Sequence, residues 1–198
     1  MPKAVGPSQK RAELVAASWE VIASEGLRGA TLRRVAAQAG CTTGALTHYF
    51  PDRHALLTGA LRAAHFQAGA RMLAATRAAG SDLQRLTAVL LEALPLDEAR
   101  LREWRVWLAF WAESMNDAEL AQENARRYAE WRELLRQVVA PLAPDAAQAE
   151  HELVHLVALI DGLGLRLARS TDGTAALEAE QRDCRAILMR YLARFELA

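Results

Sequence analysis

The chain has 198 residues, 52% of them hydrophobic, and its 24 Lys and Arg balance its 24 Asp and Glu. This composition supplies enough apolar material for a sizeable core, and because alternating β-type patterns are scarce it predicts an all-α chain. The charge is unevenly distributed. Residues 1–55 hold seven basic and four acidic residues, a net charge of +3, so the remainder carries −3. A basic N-terminal part favours a polyanionic partner at that end alone.

Neither a secretory signal nor a membrane span is expected from the sequence. The first nine residues are polar and do not match the pattern of a secretory signal. The longest apolar stretch, residues 153–168, is interrupted by three ionisable side chains, so no membrane span is expected. The two cysteines lack metal-ligand spacing and are expected to be reduced thiols. The sequence therefore predicts a cytoplasmic protein without a membrane partner.

The first helices are predicted with short, well-defined ends. Residues 9–24 predict an amphipathic helix, and Thr31 suits the N-cap of a second one. Gly40 stands where that second helix needs a left-handed residue to stop, and Thr42 or Thr43 can cap a third. A helix, a glycine turn and a short helix form the helix-turn-helix arrangement, which offers its last helix to the major groove of DNA.

The third helix has one buried and one outward side. On a helical wheel Leu46 and Phe50 define the buried side. The outward side is small and polar, with Gly44, Ala45 and His48 opposite the core, flanked by Thr43, Thr47 and Tyr49. Small residues allow a helix to approach base edges closely. The alternative interpretation is an ordinary solvated helical hairpin with scattered arginines.

This region resembles the DNA-binding domain of the TetR family of bacterial transcriptional regulators. The resemblance is carried by the first helix, Gly26, Thr31, the segment VAAQAG (35–40), Gly44, Leu46 and the segment HYFPDRHALL (48–57). It implies a three-helix DNA-binding domain over residues 1–51 and a ligand-binding and dimerisation domain over residues 52–198. Thr43 and Thr47 depart from the residues that many members carry there, so the resemblance implies DNA binding without implying the target sequence.

Site residues follow from the wheel and the resemblance together. The residues expected to face bases are Arg33, Thr43, Gly44, Ala45 and His48. The residues expected to hold phosphates are Thr31, Thr42, Thr47, Tyr49 and Arg53. The expected partner is double-stranded DNA carrying a palindromic operator.

The rest of the chain predicts six longer helices, giving about nine in all. The first covers residues 53–79 after Asp52 as its cap, and the second covers 82–94 after Ser81 as its cap. Asp97 begins a helix that runs to about 115, and Asn116 or Asp117 caps one that runs to about 140. Pro144 and Asp145 open a helix that reaches about 170, and after a turn at Thr171–Gly173 the residue Thr174 caps the last helix, to about 195. Two apolar stripes lie on the last two helices. They comprise Leu153, Val157, Ile160, Gly164 and Leu167, and then Leu177, Ile187, Leu188, Tyr191, Leu192 and Phe195. Both stripes can be internal core, but a twofold four-helix dimer interface is the favoured interpretation.

One motif points to an enzyme. His151-Glu152-x-x-His155 is a literal zinc-hydrolase signature, with two histidines on one helix face and a glutamate as general base. A catalytic site also needs a third ligand and a substrate cleft, and Asp161 is poorly placed to be that ligand. The favoured interpretation is an ordinary polar helix start. We therefore expect no catalytic residue, no metal and no cofactor.

Aromatic residues are concentrated in the middle of the chain. They can be packed core, or they can wall a pocket for a cation, which tryptophan faces attract. The residues expected to bind a ligand are Trp104, Trp107, Phe110, Trp111, Glu113, Tyr128, Trp131 and Asp161. The segments WLAFWAESM (107–115) and LIDGLGLRLARS (159–170) resemble the betaine-synthesis repressors of the TetR family. That resemblance implies choline or another small quaternary ammonium or hydrophobic cation as effector, with Gly164 replacing a common large aromatic residue.

The sequence as a whole thus predicts a homodimeric, ligand-responsive repressor. Two alternatives remain open at this point: the zinc hydrolase, and a helical adaptor that binds a protein partner through its tryptophan-rich surface.

Overall fold

The structure is a computed structural model that describes residues 6–170 and 174–196. Nine α-helices follow one another in these ranges, and no strand occurs there: α1 (Pro7–Gly29), α2 (Leu32–Gln38), α3 (Thr43–Thr47), α4 (Arg53–Ala78), α5 (Asp82–Ala93), α6 (Glu98–Ser114), α7 (Ala118–Val139), α8 (Ala146–Ala168) and α9 (Thr174–Leu192). Short 3-10 turns follow α7 and α9. The predicted all-α architecture is confirmed, and the predicted turn at Thr171–Gly173 lies outside the described residues.

Side-chain caps define where the longer helices begin. The carboxylates of Asp52, Asp97, Asp117 and Asp145 accept backbone N–H groups of α4, α6, α7 and α8. Ser81 and Gln84 form a reciprocal capping box at α5. Each of these caps stands at a position that the sequence predicts, and Asp117 rather than Asn116 begins α7. None of the described helices is long and apolar enough to cross a membrane.

The chain divides into two compact units. Unit 1 comprises the described residues up to His65 together with Arg105–Ala125, and unit 2 comprises Phe66–Trp104 together with the described residues from Arg126 onward. Helices α4, α6 and α7 each contribute to both units. The division into domains at residue 51 stays a prediction.

The core of unit 1 holds the first three helices in place. Its fully enclosed side chains come from every helix of the unit and include Leu14, Ile22, Val35, Leu46, Phe50, Leu57, Val106 and Phe110. Because Leu46 and Phe50 are at most 1% exposed, the inner side of α3 is fixed against this core as the wheel predicts.

The core of unit 2 corrects the predicted dimer face. The α8 stripe of Leu153, Val157, Ile160, Gly164 and Leu167 is buried within the protomer itself, as are Leu188 and Leu192 of α9. That stripe therefore does not supply an intersubunit surface. The stripe was predicted as a dimer face because α8 is apolar around most of its circumference. Such a pattern does not show which side of the helix packs against its own protomer and which side faces a second copy.

Candidate DNA-binding surface and ligand site

The turn between α2 and α3 is built by one glycine. Gly40 has φ +62°, in the left-handed region that favours glycine. The N–H of Cys41 donates to the carbonyl of Ala36 at 3.0 Å, and the N–H of Gly40 donates to that of Ala37 at 3.2 Å. These two bonds form a Schellman motif, which satisfies the last carbonyls of α2 and reverses the chain into α3.

Two threonines cap the helices on either side of this turn. Thr31 Oγ1 accepts the N–H of Arg34, and Thr42 Oγ1 accepts the N–H of Ala45, each at 3.2 Å. Each cap satisfies one orphan N–H and leaves the threonine's own hydroxyl proton to donate elsewhere. The two helix N-termini therefore present hydroxyl donors together with the positive ends of the helix dipoles, the chemistry that receives a phosphate oxygen.

The outward side of α3 is open to solvent. Thr43, Gly44, Ala45 and His48 are exposed, whereas Thr47 and Tyr49 are half-buried on its flanks. Thr47 Oγ1 donates to the carbonyl of Gly44 at 3.0 Å. The surface has no acidic side chain and no long side chain at its centre, so a nucleic-acid groove can approach the backbone of α3 closely.

Arg11 anchors the end of α3, a role that the sequence analysis missed. Its guanidinium carbon lies 4.3 Å from the centroid of the Phe50 ring, and its Nη1 donates to the carbonyl of Tyr49 at 3.2 Å. Gly59 completes the fit, because a Cβ there would lie 2.7 Å from the Phe50 ring. The sequence places Arg11 one turn into α1 but does not show which residues pack beside it. Its contact with Phe50 and Tyr49 could therefore not be predicted.

The basic residues around the turn have different surroundings. Arg53 Nε donates to the carbonyl of Ala30 at 3.1 Å and its Nη2 donates to that of Leu27 at 2.5 Å, so its guanidinium holds the end of α1. Arg34 pairs with Glu25 at 2.7 Å, whereas Arg33 is exposed. The charge of Arg33 is thus exposed to solvent, whereas the guanidinium of Arg53 is hydrogen-bonded to the last carbonyls of α1 and the residue after it.

The predicted ligand residues fall in both units. In unit 1, Phe110 is fully enclosed by the core and Trp107 packs edge-on against His65, with 6.4 Å between ring centroids. Trp111 is half-buried, and the Glu113 carboxylate lies 4.0 Å from the guanidinium of Arg28. The packed-core interpretation therefore describes Phe110.

In unit 2, Trp104 occupies the space beside Gly164. A Cβ on Gly164 would lie 2.2 Å from two atoms of the Trp104 ring. Trp104 is 9% exposed, and its Nε1 donates to the carbonyl of Ala93 at 2.7 Å. The space left by the missing side chain at residue 164 is thus occupied by a tryptophan from α6.

Asp161 and Tyr128 form a hydrogen-bonded pair between α8 and α7. The Tyr128 hydroxyl donates to Asp161 Oδ2 at 2.5 Å. Burial raises the pKa of Asp161, although the hydrogen bond from Tyr128 acts in the opposite direction, and burial together with this carboxylate raises the pKa of Tyr128. Trp131 lies half-buried one turn further along α7. These three residues supply a hydroxyl, a carboxylate and an indole within unit 2.

The zinc-hydrolase signature does not assemble a catalytic site. Glu152 is 3% exposed and accepts hydrogen bonds from Gln148, Tyr191 and Arg194, whereas His151 and His155 are exposed. The carboxylate and the imidazoles therefore have different surroundings, and Glu152 is engaged in holding α8 to α9 and to the turn after it. It is not placed to act as general base beside the two histidines.

A capped, glycine-turned pair of short helices with an open outer face, in an all-α chain, defines the class of helix-turn-helix DNA-binding regulators. The chain matches the family model described as "Bacterial regulatory proteins, tetR family" over residues 14–60 and the one described as "BetI-type transcriptional repressor, C-terminal" over residues 82–195. The chain belongs to the TetR family and has a BetI-type C-terminal domain. It is accordingly a transcriptional regulator of the repressor type, and this family consists of regulators rather than enzymes.

Individual relatives agree with this assignment. The HTH-type transcriptional regulator BetI of Escherichia coli (strain K12) is 34% identical over 177 residues, which cover 86% of this chain and 88% of that protein. The crystal structure of a transcriptional regulator from Rhodococcus sp. RHA1 is 30% identical, with a TM-score of 0.73, covering 91% of this chain and 96% of that one. A transcriptional regulator from Saccharomonospora viridis, solved in complex with choline, shares the fold at a TM-score of 0.77 and 22% identity, covering 92% and 96% of the two chains.

Proposed function

We propose that the protein represses transcription in the cytoplasm by binding a palindromic operator as a homodimer, and that a small cation of the choline type alters this binding. The observation that carries the proposal is the exposed face of α3, held rigidly by the Thr42 cap and by the Arg11 contact with its last turn. In this proposal residues 1–51 bind DNA, and residues 52–198 bind the effector and dimerise.

The roles within the DNA-binding surface follow from exposure and hydrogen bonding. Thr43, Gly44, Ala45 and His48 face the bases, where small side chains and the Thr43 methyl group can contact thymine methyls. Arg33 is long and exposed, as a bidentate contact to guanine requires. Thr31, Thr42, Thr47, Tyr49 and Arg53 surround that surface as phosphate contacts, with Arg53 also securing the end of α1.

Selection of bound duplexes from a random pool, followed by footprinting, tests the DNA-binding proposal. We expect an inverted repeat whose half-sites lie about one helical turn apart. Ala45→Glu should abolish operator binding because it places a negative charge on the face of α3. Ala74→Glu, at an exposed alanine of α4, is the matched control and should leave binding intact. Recovery of no inverted repeat at low ionic strength would refute the proposal.

The dimer is proposed to form through the outer faces of α8 and α9. Val154 is 52% exposed and Leu165 41% exposed on α8, and Ile187 of α9 is 41% exposed. Ala158 and Gly162 lie between the two α8 residues on the same exposed side. A row of apolar and small side chains suits an isologous contact with a second copy, and two copies supply the second recognition helix that a palindrome requires.

Sedimentation equilibrium tests this face directly. Leu165→Glu should convert the dimer to monomer at micromolar concentration, because each copy then buries an unpaired carboxylate in an apolar interface. Leu73→Glu is the matched control, since Leu73 is 44% exposed on α4. Monomeric parent protein, or equal effects of the two variants, would rule out this face.

The effector is proposed to be choline or a related small quaternary ammonium compound. Support comes from the BetI-type C-terminal domain and from the choline bound in the Saccharomonospora viridis neighbour. Within unit 2, the carboxylate of Asp161 can neutralise a cation and the indole of Trp131 can contact its methyl groups. Tyr128 and Trp104 are further proposed members of the ligand site within unit 2, whereas Phe110 is enclosed by the core of unit 1. Ligand binding by Trp107, Trp111 and Glu113 stays a prediction from the sequence.

Calorimetry with choline tests the effector proposal. We expect binding that weakens in Asp161→Asn, because the amide keeps an oxygen for Tyr128 but loses the charge that neutralises the ligand. Asp145→Asn, which retains an N-cap oxygen at α8, is the control that removes a carboxylate elsewhere in unit 2. Absence of heat with every small quaternary amine would refute the effector class.

A further inference from the structure

Two histidines of α8 have no role in the function proposed above. His151 and His155 lie one helical turn apart on the exposed side of α8, with ring centroids 4.4 Å apart and planes at 86°. Within residues 6–170 and 174–196, neither imidazole forms a hydrogen bond or an ion pair with another protein group. Their nitrogen atoms are therefore available to a ligand from solvent.

Glu152 lies between the two histidines in sequence, but its carboxylate points into the protein and is not available as a metal ligand beside them. Glu152 accepts from the Tyr191 hydroxyl at 2.8 Å, from Gln148 Nε2 at 3.1 Å and from Arg194 Nη2 at 2.5 Å. Because this carboxylate is buried and fully engaged, it cannot turn outward without abandoning three partners. The chemistry offered at this point of the surface is thus two imidazoles without the Glu152 carboxylate.

Two imidazoles at this spacing match a transition-metal ion. A tetrahedral zinc ion with Zn–N bonds of about 2.0–2.1 Å places its ligand nitrogens about 3.4 Å apart. Rings whose centroids are 4.4 Å apart and whose planes are nearly perpendicular can each direct one nitrogen to such a point with a small side-chain rotation. Imidazole selects zinc, copper and nickel, whereas magnesium and calcium prefer oxygen ligands.

One chain supplies only half of a tetrahedral shell. No group of three or more His, Cys, Asp or Glu side chains that could hold a metal occurs in the described part of the chain. The pair does lie on the exposed side of α8 that carries Val154, Ala158 and Gly162, the side proposed above to meet a second copy. In an isologous interface every residue near the axis is repeated by its twofold mate, so the second copy can contribute the same two histidines.

We propose that His151 and His155 of two copies together bind one divalent transition-metal ion of the zinc class, with the twofold axis passing beside the first half of α8. This inference rests on the proposed α8–α9 dimer. The ion binds the dimer more tightly than the monomer, so by mass action its presence strengthens the dimer. Dimer affinity, and with it operator occupancy, thereby responds to the metal.

Sedimentation equilibrium with zinc chloride, and again with EDTA, tests the proposal. We expect zinc to lower the dimer dissociation constant at least tenfold and calorimetry to give one ion per two chains. His151→Gln and His155→Gln should each abolish both effects. Since both positions are exposed on a helix, neither variant should disturb folding, and circular dichroism melting verifies this. His54→Gln, which removes a half-exposed histidine of α4, is the control and should retain the zinc effect.

Several outcomes would overturn the proposal. No zinc binding, or one ion per chain with an unchanged dimer constant, would leave the histidines without a bridging role. Retention of the zinc effect in both glutamine variants would place the ion elsewhere. A dimer that forms and binds operator in EDTA, unaffected by zinc, would refute the metal site and leave the proposed function intact. A parent protein that stays monomeric and fails to bind operator both in EDTA and with zinc would refute the proposed function instead.

Discussion

Gly164 is the position where this chain is most sensitive to a single added methyl group. In Gly164→Ala the new Cβ would lie 2.2 Å from Cη2 and Cζ2 of Trp104 and 2.6 Å from Cζ3. Ordinary carbon contacts begin near about 3.5 Å, so the ring has to shift by more than about 1 Å. Trp104 is 9% exposed and donates to the Ala93 carbonyl at 2.7 Å, so the shift also strains or breaks that hydrogen bond.

The expected cost combines two effects. Overpacking of a tight core costs about 1–3 kcal/mol, and the hydrogen bond contributes about 1 kcal/mol more. We therefore expect Gly164→Ala to lower the free energy of unfolding by about 3 kcal/mol. For a chain of this length that corresponds to a fall in Tm of about 6–12 °C.

A double-mutant cycle identifies the cause. Trp104→Phe should be destabilising by itself, since it removes the indole donor and leaves a cavity, but its shorter ring ends before the clashing atoms. Gly164→Ala on the Trp104→Phe background should then cost at least about 1 kcal/mol less than on the parent, a coupling typical of residues in contact. Urea unfolding followed by circular dichroism at a fixed protein concentration measures all four proteins. A Gly164→Ala protein within about 0.5 kcal/mol of the parent, or strict additivity, would refute the packing argument.

Three further predictions concern the DNA-binding surface and the ligand site. Arg53→Ala should weaken binding to all duplexes and reduce the slope of log K against log salt by about 1, whereas an unchanged slope would assign Arg53 to securing α1 alone. Arg11→Ala should lower the free energy of unfolding by about 1 kcal/mol and weaken operator binding several-fold, because the contact with Phe50 is lost. Lys10→Ala is the control, and equal losses in the two variants would exclude a specific role for the Arg11 contact. Burial raises the pKa of Asp161, so stability conferred by its protonated form is lost as pH rises from about 4 through the folded-state pKa. In Asp161→Asn the Tm should depend less on pH over this range, as thermal melts at several pH values would show. A Tm that falls with rising pH as steeply as in the parent would contradict the assignment to Asp161.

The fold was largely predictable because its information is local. The N-caps at Thr31, Ser81 and Asp145 and the left-handed Gly40 lie in the sequence beside the helices they begin or end, and the structure confirms each of them. The inward side of α3 followed from helical periodicity alone. The choice of Thr42 over Thr43 as the cap needed coordinates, since adjacent threonines offer the same side-chain chemistry.

The candidate sites were less predictable because they depend on contacts distant in sequence. Arg11 reaches residues 38 positions away, and nothing near it in the chain marks this contact. The zinc-hydrolase signature spaces its residues correctly for a metal site, yet Glu152 is drawn into the protein by partners on α9 and beyond. Spacing along a helix fixes which residues share a face but leaves open which neighbours will engage them.

The sequence by itself determined an all-helical chain, the N-caps of several of its helices and the outward face of α3, because capping chemistry and helical periodicity act within a few residues. Only the tertiary structure decided that Trp104 fills the space beside Gly164 and that the Leu153–Leu167 stripe belongs to the core. The physical reason is that an apolar side chain is stabilised by whichever surface excludes water from it. Whether that surface is the same chain or another copy is set by how the helices pack.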